Sequence, residues 1–330
     1  MVKYIIKRIL ISVLVLFGVS VILYFLVRLM PVNFIENNYY ASQGSTGVDE
    51  ETLKRLLAQY GLEDSSFLGI CKGYFNWLIK FLQGDMGQSF KYKDDVQDVI
   101  FKHMGTSFAI SFVALILQLI IAIPLGIQSA CHQYGKLDYS VTVLTMISMS
   151  FPTFFFGALV IKFFAVELNW FPSGNLVGTL PMDATEWERF IDKLHHLVLP
   201  MLVLVILSLG GLTRYTRTNT LEVLNADYIR TARAKGLSES TVIYKHVFRN
   251  TLIPLVTMLA GSLPSLFGGA MITETIFDIP GIGNMAYAAL REGDIPFIMG
   301  YNMFIAVLVI IGVLLSDIMY AVVDPRVKLK

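Results

Sequence analysis

Charge is scarce in this chain of 330 residues: Asp, Glu, Lys and Arg together make up 15% of it, where a soluble globular domain carries about 25%. So few charges cannot coat a water-facing surface. The apolar composition also excludes disorder and coiled coil, which need polar or strictly repeating sequences. A net charge of +1 exerts no whole-molecule pull on nucleic acid. Cysteine is nearly missing, with only Cys71 and Cys131, and no Cys-x-x-Cys pair is present to form a metal or redox site. The histidines are His103, His132, His195, His196 and His246. His195 and His196 are adjacent rather than four apart, so they share no helical face for a metal. A G-x-x-x-x-G-K-[ST] phosphate loop is also lacking. The nearest glycine pairs, Gly210-Gly211 and Gly268-Gly269, fall inside apolar stretches. Energy-driven work would therefore need a nucleotide held by another chain. Internal repeats and low-complexity tracts are not evident.

What the chain does have is apolar length. Hydrophobic residues make up 55% of it and its mean hydropathy is +0.63. A membrane-spanning helix takes about 20 mainly apolar residues. Six stretches qualify: 9–27, 107–130, 139–166, 197–212, 252–276 and 297–323. The first is followed by Arg28 and Pro31 without a small-residue cleavage site, so it reads as a retained helix rather than a signal peptide. The expected fold is an all-α polytopic membrane protein. Pro124, Pro152, Pro200 and Pro264 fall within the second to fifth spans, where proline is tolerated because neighbours re-satisfy freed carbonyls. Each marks either bent packing or a hinge.

Orientation follows from the Lys and Arg of the loops. With the N-terminus inside, the inner segments carry fourteen, while the two short outer loops carry Arg189, Lys193 and Arg291. Both termini are then cytoplasmic, and Cys71 and Cys131 fall on opposite sides of the bilayer. The chain divides into a tail and first helix (1–28), an external, mainly helical subdomain (29–106) and a core (107–330) containing a cytoplasmic loop (214–250). In the external segment, Leu53, Leu56, Leu57 and Tyr60 recur with helical period, as do Phe75, Leu78, Ile79 and Leu82. Over 91–103, Val96, Val99 and Ile100 share one face, which suggests a helix lying along the membrane interface.

Ionisable residues inside the spans are costly and often functional. They are Lys162, Glu274 and Asp317. Lys162 can snorkel, and Glu274 falls at the outer end of the fifth span. Asp317 is the deepest, and reads as a structural pair or as part of a pathway. The runs Ala260-Gly261-Ser262 and Gly268-Gly269-Ala270 lie on the fifth span, where small residues either permit close packing or line a pore.

The loop 214–250 is too long for a turn. One helix is expected from about Asn225 to Lys235, ending at Gly236, and a second is expected from Ser238 or Ser240, whose hydroxyls can cap it. Such a helix–glycine–helix knob suits docking into a partner's cleft, while its basic face equally suits anionic lipid.

The run Arg230-Thr231-Ala232-Arg233-Ala234-Lys235-Gly236-Leu237, followed by Arg249-Asn250-Thr251-Leu252-Ile253-Pro254, resembles the cytoplasmic coupling loop of ABC-transporter permeases of the oligopeptide/dipeptide branch. Other segments agree in order: Tyr4-Ile5-Ile6-Lys7-Arg8, Gly84-Asp85-Met86-Gly87-Gln88-Ser89-Phe90, Pro124-Leu125-Gly126 and Ser150-Phe151-Pro152. After these come Glu274-Thr275-Ile276-Phe277, Pro280-Gly281-Ile282-Gly283 and Asp324-Pro325-Arg326. The wider family has Glu-Ala-Ala where this chain has Arg230, Thr231 and Ala232, a departure shared with the peptide branch. Permeases for nickel and glutathione belong to the same branch.

The resemblance implies a type I importer permease without enzymatic activity of its own. It would pair with a second homologous permease. Two ABC ATPase subunits, which hold the ATP and Mg, would contact Asp227 and the run from Arg230 to Leu237. An extracytoplasmic peptide-binding protein would deliver substrate, in a bacterial or archaeal plasma membrane. Substrate contacts are sought near Pro152, Ser262, Ser265 and Glu274, with Asp317 as a further pathway candidate. No metal and no cofactor is expected on this chain. An ion-coupled carrier would place several charges or broken helices at mid-membrane, and an intramembrane enzyme would need clustered His, Asp or Glu. Here Asp317 is nearly alone, no two-half repeat is apparent and no such cluster is present. The alternatives to a peptide permease are a nickel or glutathione permease of the same family or an ion-coupled secondary carrier.

Overall fold

The computed structural model describes residues 2–30 and 66–323. The described chain is built of helices: α1 Val2–Arg28, α2 Phe67–Leu82, α3 Val96–Cys131, α4 Lys136–Ser150, α5 Thr153–Val160, α6 Glu186–Leu224, α7 Asp227–Ala234, α8 Glu239–Thr241, α9 Phe248–Gly268, α10 Met271–Ile276, α11 Ile282–Glu292 and α12 Ile295–Val323. Wide π-helical turns, Ile161–Glu167 and Val242–Val247, follow α5 and α8. The periodic set Leu53, Leu56, Leu57 and Tyr60, and the motif Asp324-Pro325-Arg326, lie outside the described residues.

Among the described residues, four helices are long and apolar enough to cross a membrane: Ile6–Arg28, Val96–Cys131, Glu186–Leu224 and Ile295–Ile318. The expected third span is not one rod. Lys136–Ser150 and Thr153–Glu167 meet at 101°, with Phe151 extended and Pro152 opening the second piece. Proline lacks the N–H that would continue the ladder and drives the preceding residue out of the α region. The other expected span prolines, Pro124, Pro200 and Pro264, sit inside unbroken helices.

The expected fifth span also ends early. α9 has 21 residues, about 31 Å of helix and enough for a bilayer core. It stops at Gly268, and the next residue, Gly269, takes φ +78°. Tyr301 of α12 donates its hydroxyl to the Gly268 carbonyl at 2.7 Å, satisfying one group orphaned at the helix end. Gly268-Gly269-Ala270 therefore forms a corner rather than a helical stripe.

Two expected boundaries move outward. α3 begins at Val96, so 91–103 is not a separate interfacial helix. Val96, Val99 and Ile100 are buried against Ile282, Ala286, Ala289 and Phe297, because burial against protein removes more of that face from water than a membrane surface would. α6 runs through Arg214 and Arg217 to Leu224, so the expected loop loses its first eleven residues to the helix.

Close approach organises the bundle. A Cβ on Gly126 of α3 would stand 2.8 Å from the Thr213 carbonyl of α6, and one on Gly210 of α6 would stand 2.7 Å from the Thr145 carbonyl of α4. Small residues at helix crossings let backbones touch in this way. α1 packs on α2 and α12 through an aromatic cluster of Tyr24, Tyr74 and Trp77. Leu78 of α2 joins that cluster, while Phe75, Ile79 and Leu82 are exposed.

Candidate functional site

The helix–glycine–helix knob is present. α7 spans Asp227–Ala234, one to two residues shorter at each end than expected. Its buried residues Ile229 and Ala232 pack on Val242 and Val247, with Val223 and Leu224 alongside. Lys235 caps the helix and Gly236 follows at φ +77°. L side chains avoid that region, which is why glycine closes the turn. Ser238 then caps α8 by accepting the Thr241 N–H. Across the turn Arg233 forks onto Glu239, with nitrogen–oxygen distances of 2.6 and 3.1 Å. The guanidinium holds the Glu239 carboxyl below its ordinary range.

The sequence candidates are therefore split. Ala232 is core of the knob, while Arg230, Thr231, Arg233, Ala234, Lys235, Gly236 and Leu237 are exposed. Asp227 stands at the first turn of α7, within 3.7 Å of Arg230. The outward side carries Tyr228, Arg230, Lys235 and Leu237, a mixed basic and apolar surface.

The knob joins the end of the bundle formed by the last turns of α3, the start of α4 and the last turns of α6. Arg8 near the start of α1 pairs with Asp317 near the end of α12, Nε to Oδ2 at 2.9 Å. Asp317 is thus a paired residue tying the first helix to the last, half-buried at their seam.

The other pathway candidates do not converge. Pro152 is exposed at the corner between α4 and α5. Ser262 and Ser265 turn back on their own helix, donating to the Leu259 and Ser262 carbonyls. Glu274 is 1% exposed. Its two oxygens accept the Ala270 and Asn284 N–H groups, each at 3.0 Å. It is a buried cap for the starts of α10 and α11. Lys162 is exposed and reaches Glu167 at 3.8 Å. Among the described residues no three His, Cys, Asp or Glu gather to hold a metal ion. Four of the five histidines face backbone carbonyls: His103 that of Pro280, His132 that of Gln128, His195 that of Trp170 and His196 that of Asp192.

Residues 122–329 match the family model described as "binding-protein-dependent transport system inner membrane component". The chain belongs to that family. It is 38% identical over 329 residues to the oligopeptide transport system permease protein AppB of Bacillus subtilis, covering 99% of this chain and 100% of the relative. The dipeptide transport system permease protein DppB of Escherichia coli K12 is 30% identical over 346 residues, with 100% of both chains covered. The di/tripeptide transport system permease protein DppB of Pseudomonas aeruginosa is 30% identical over 341 residues, with 99% of each covered. These relatives are transport permeases by name. The protein is a multi-pass peptide-type ABC permease of the plasma membrane.

The recurring segments of this permease now have physical reasons. Ser89 of the Gly84–Phe90 segment donates to the buried Asp294, while Gly84 and Gly87 take φ of +88° and +84° to shape the loop. Pro280-Gly281-Ile282-Gly283 wraps the Glu274 carboxylate so closely that a Cβ on Gly281 would fall 2.4 Å from its Oε2. Ser107 accepts the Ile282 N–H at 2.8 Å. Sequence reading missed Asp294, which lay in an apparent outer loop. It also missed Asp138, whose signal was an isolated acid in a segment otherwise assigned to basic, inward-facing chain.

Proposed function

We propose that this chain is the pathway-forming permease subunit of an ATP-driven importer of oligopeptides or dipeptides. It works beside a second, homologous permease. Two ABC ATPase subunits supply ATP, Mg and hydrolysis, so this chain itself catalyses nothing and binds no cofactor. Both termini face the cytoplasm, and a peptide-binding protein delivers substrate at the opposite face. The knob of α7, Gly236 and α8 carries this reading. It is a small, self-packed body at one end of the bundle with a basic and apolar surface turned outward, the shape that a cleft on a motor subunit can grip. Differential binding of nucleotide and peptide to two bundle arrangements then drives alternating access.

The test is Gly236→Arg in the assembled transporter. The expected result is loss of ATPase-subunit co-purification and of ATP-dependent peptide uptake. Unchanged assembly and uptake would remove the knob from the mechanism. Competition of labelled uptake by short peptides, nickel and glutathione separates the peptide reading from the other cargoes of the branch.

A further inference from the structure

The knob needs a mechanical connection to the bundle, and one buried carboxylate makes it. Asp138, in the first turn of α4, is 3% exposed. Arg217 of α6 forks onto it, Nε to Oδ1 at 2.6 Å and Nη2 to Oδ2 at 2.8 Å. The Ser129 hydroxyl, near the end of α3, donates to Oδ1 at 2.5 Å. The Tyr134 N–H, in the turn between α3 and α4, donates to Oδ2 at 2.9 Å. One side chain thus joins four pieces of chain at the knob's end of the bundle.

Arg217 lies in the last two turns of α6, and only Asn225 and Ala226 separate that helix from α7. A second contact acts further along α6. Gly210 brings its backbone against Thr145, Ser148 and Met149 of α4. α4 is therefore held to α6 at both levels and ends at the 101° corner before α5. A bidentate guanidinium–carboxylate pair fixes orientation as well as distance. Parting it would strand a buried charge, so the joint moves as a unit rather than opening.

We propose that Asp138 and Arg217 are the positioning pair that transmits displacement of the knob to α4 and swings the bent α4–α5 segment. The inference rests on the reading of the knob as the motor contact. Neither residue touches substrate; both act through the helices they join.

The experiment uses the complete transporter in lipid vesicles and reads peptide uptake and ATP hydrolysis together. Asp138→Asn keeps the shape but weakens the joint. The expected result is retained ATPase subunits and near-normal hydrolysis, with uptake per ATP reduced about tenfold, within the range that coupling between sites produces. Arg217→Lys keeps the charge without the fork and should reduce the same ratio by a smaller factor. An unchanged ratio in Asp138→Asn overturns the proposal. Parallel loss of assembly, hydrolysis and uptake in both variants also overturns it, since the pair would then serve folding alone. Gly236→Arg separates the two ideas: if it is neutral, the knob reading fails. If it is defective while Asp138→Asn couples normally, only the joint fails.

Discussion

Ser89 donates its hydroxyl to the Asp294 carboxylate at 2.5 Å across 205 residues of sequence. Asp294 is fully buried and also accepts the Lys91 and Phe297 N–H groups. It thereby pins the loop before α3 to the start of α12. Ser89→Ala leaves the carboxylate one donor short. Removing a partner from a buried charged acceptor costs about 1–3 kcal/mol. The expected outcome is a lower melting temperature in detergent, with peptide selectivity unchanged in the remaining active fraction.

Glu274 gives a sharper test of its role as a cap. A glutamine there would set an NH2 group against a backbone N–H, because both carboxylate oxygens already accept. Glu274→Gln is therefore expected to destabilise by about 2–4 kcal/mol, one charged hydrogen bond and its unpaired donor. Uptake should fall with the amount of folded protein. A change in the preference among peptides at full stability would instead place Glu274 in the pathway.

Gly210 and Gly211 are neighbours with opposite surroundings. A Cβ at Gly210 meets Ser148, Met149 and the Thr145 carbonyl within 2.7 Å, whereas a Cβ at Gly211 meets nothing within 4 Å. Gly210→Ala is expected to cost about 1–3 kcal/mol through overpacking, and Gly211→Ala to be neutral or slightly stabilising through helix propensity. Thermal unfolding of the two variants side by side measures the difference. Equal effects would contradict the α4–α6 contact.

The Arg233–Glu239 clasp predicts a pH dependence for the knob. Arg233 lowers the folded-state pKa of Glu239. The clasp's contribution is therefore present above the ordinary glutamate range and is lost as pH falls through the lowered value. Exposed pairs contribute about 0–1 kcal/mol, so the fold persists while the Gly236 turn loosens. Hydrogen-exchange protection across 227–241, taken relative to the intrinsic exchange rate at each pH, should fall in acid in the unmodified protein. In Glu239→Gln it should already be lowered at neutral pH and show a smaller acid response.

Much of the molecule is legible in its residues because lipid imposes a strong and simple demand: long apolar helices with their backbone groups satisfied internally. The knob was legible for a similarly local reason. Ser238 supplies a cap and Gly236 a left-handed turn, and both act within a few residues. The break at Phe151-Pro152 was legible as a bend, but its 101° was not, since Pro124 and Pro200 present the same local chemistry inside continuous helices.

The sequence by itself determined the class, four of the apolar spans and the helix–glycine–helix punctuation, since composition, capping and period act over one or a few turns. Only the tertiary structure decided which buried charges are joints. Asp294 and Asp138 find donors from distant segments, and Asp317 finds Arg8 at the other end of the chain. A carboxylate in an apolar surrounding has to be met by N–H, O–H or a cation. Which distant group meets it depends on how helices cross, and those crossings are set by contacts such as Gly126 on Thr213 that no local pattern specifies.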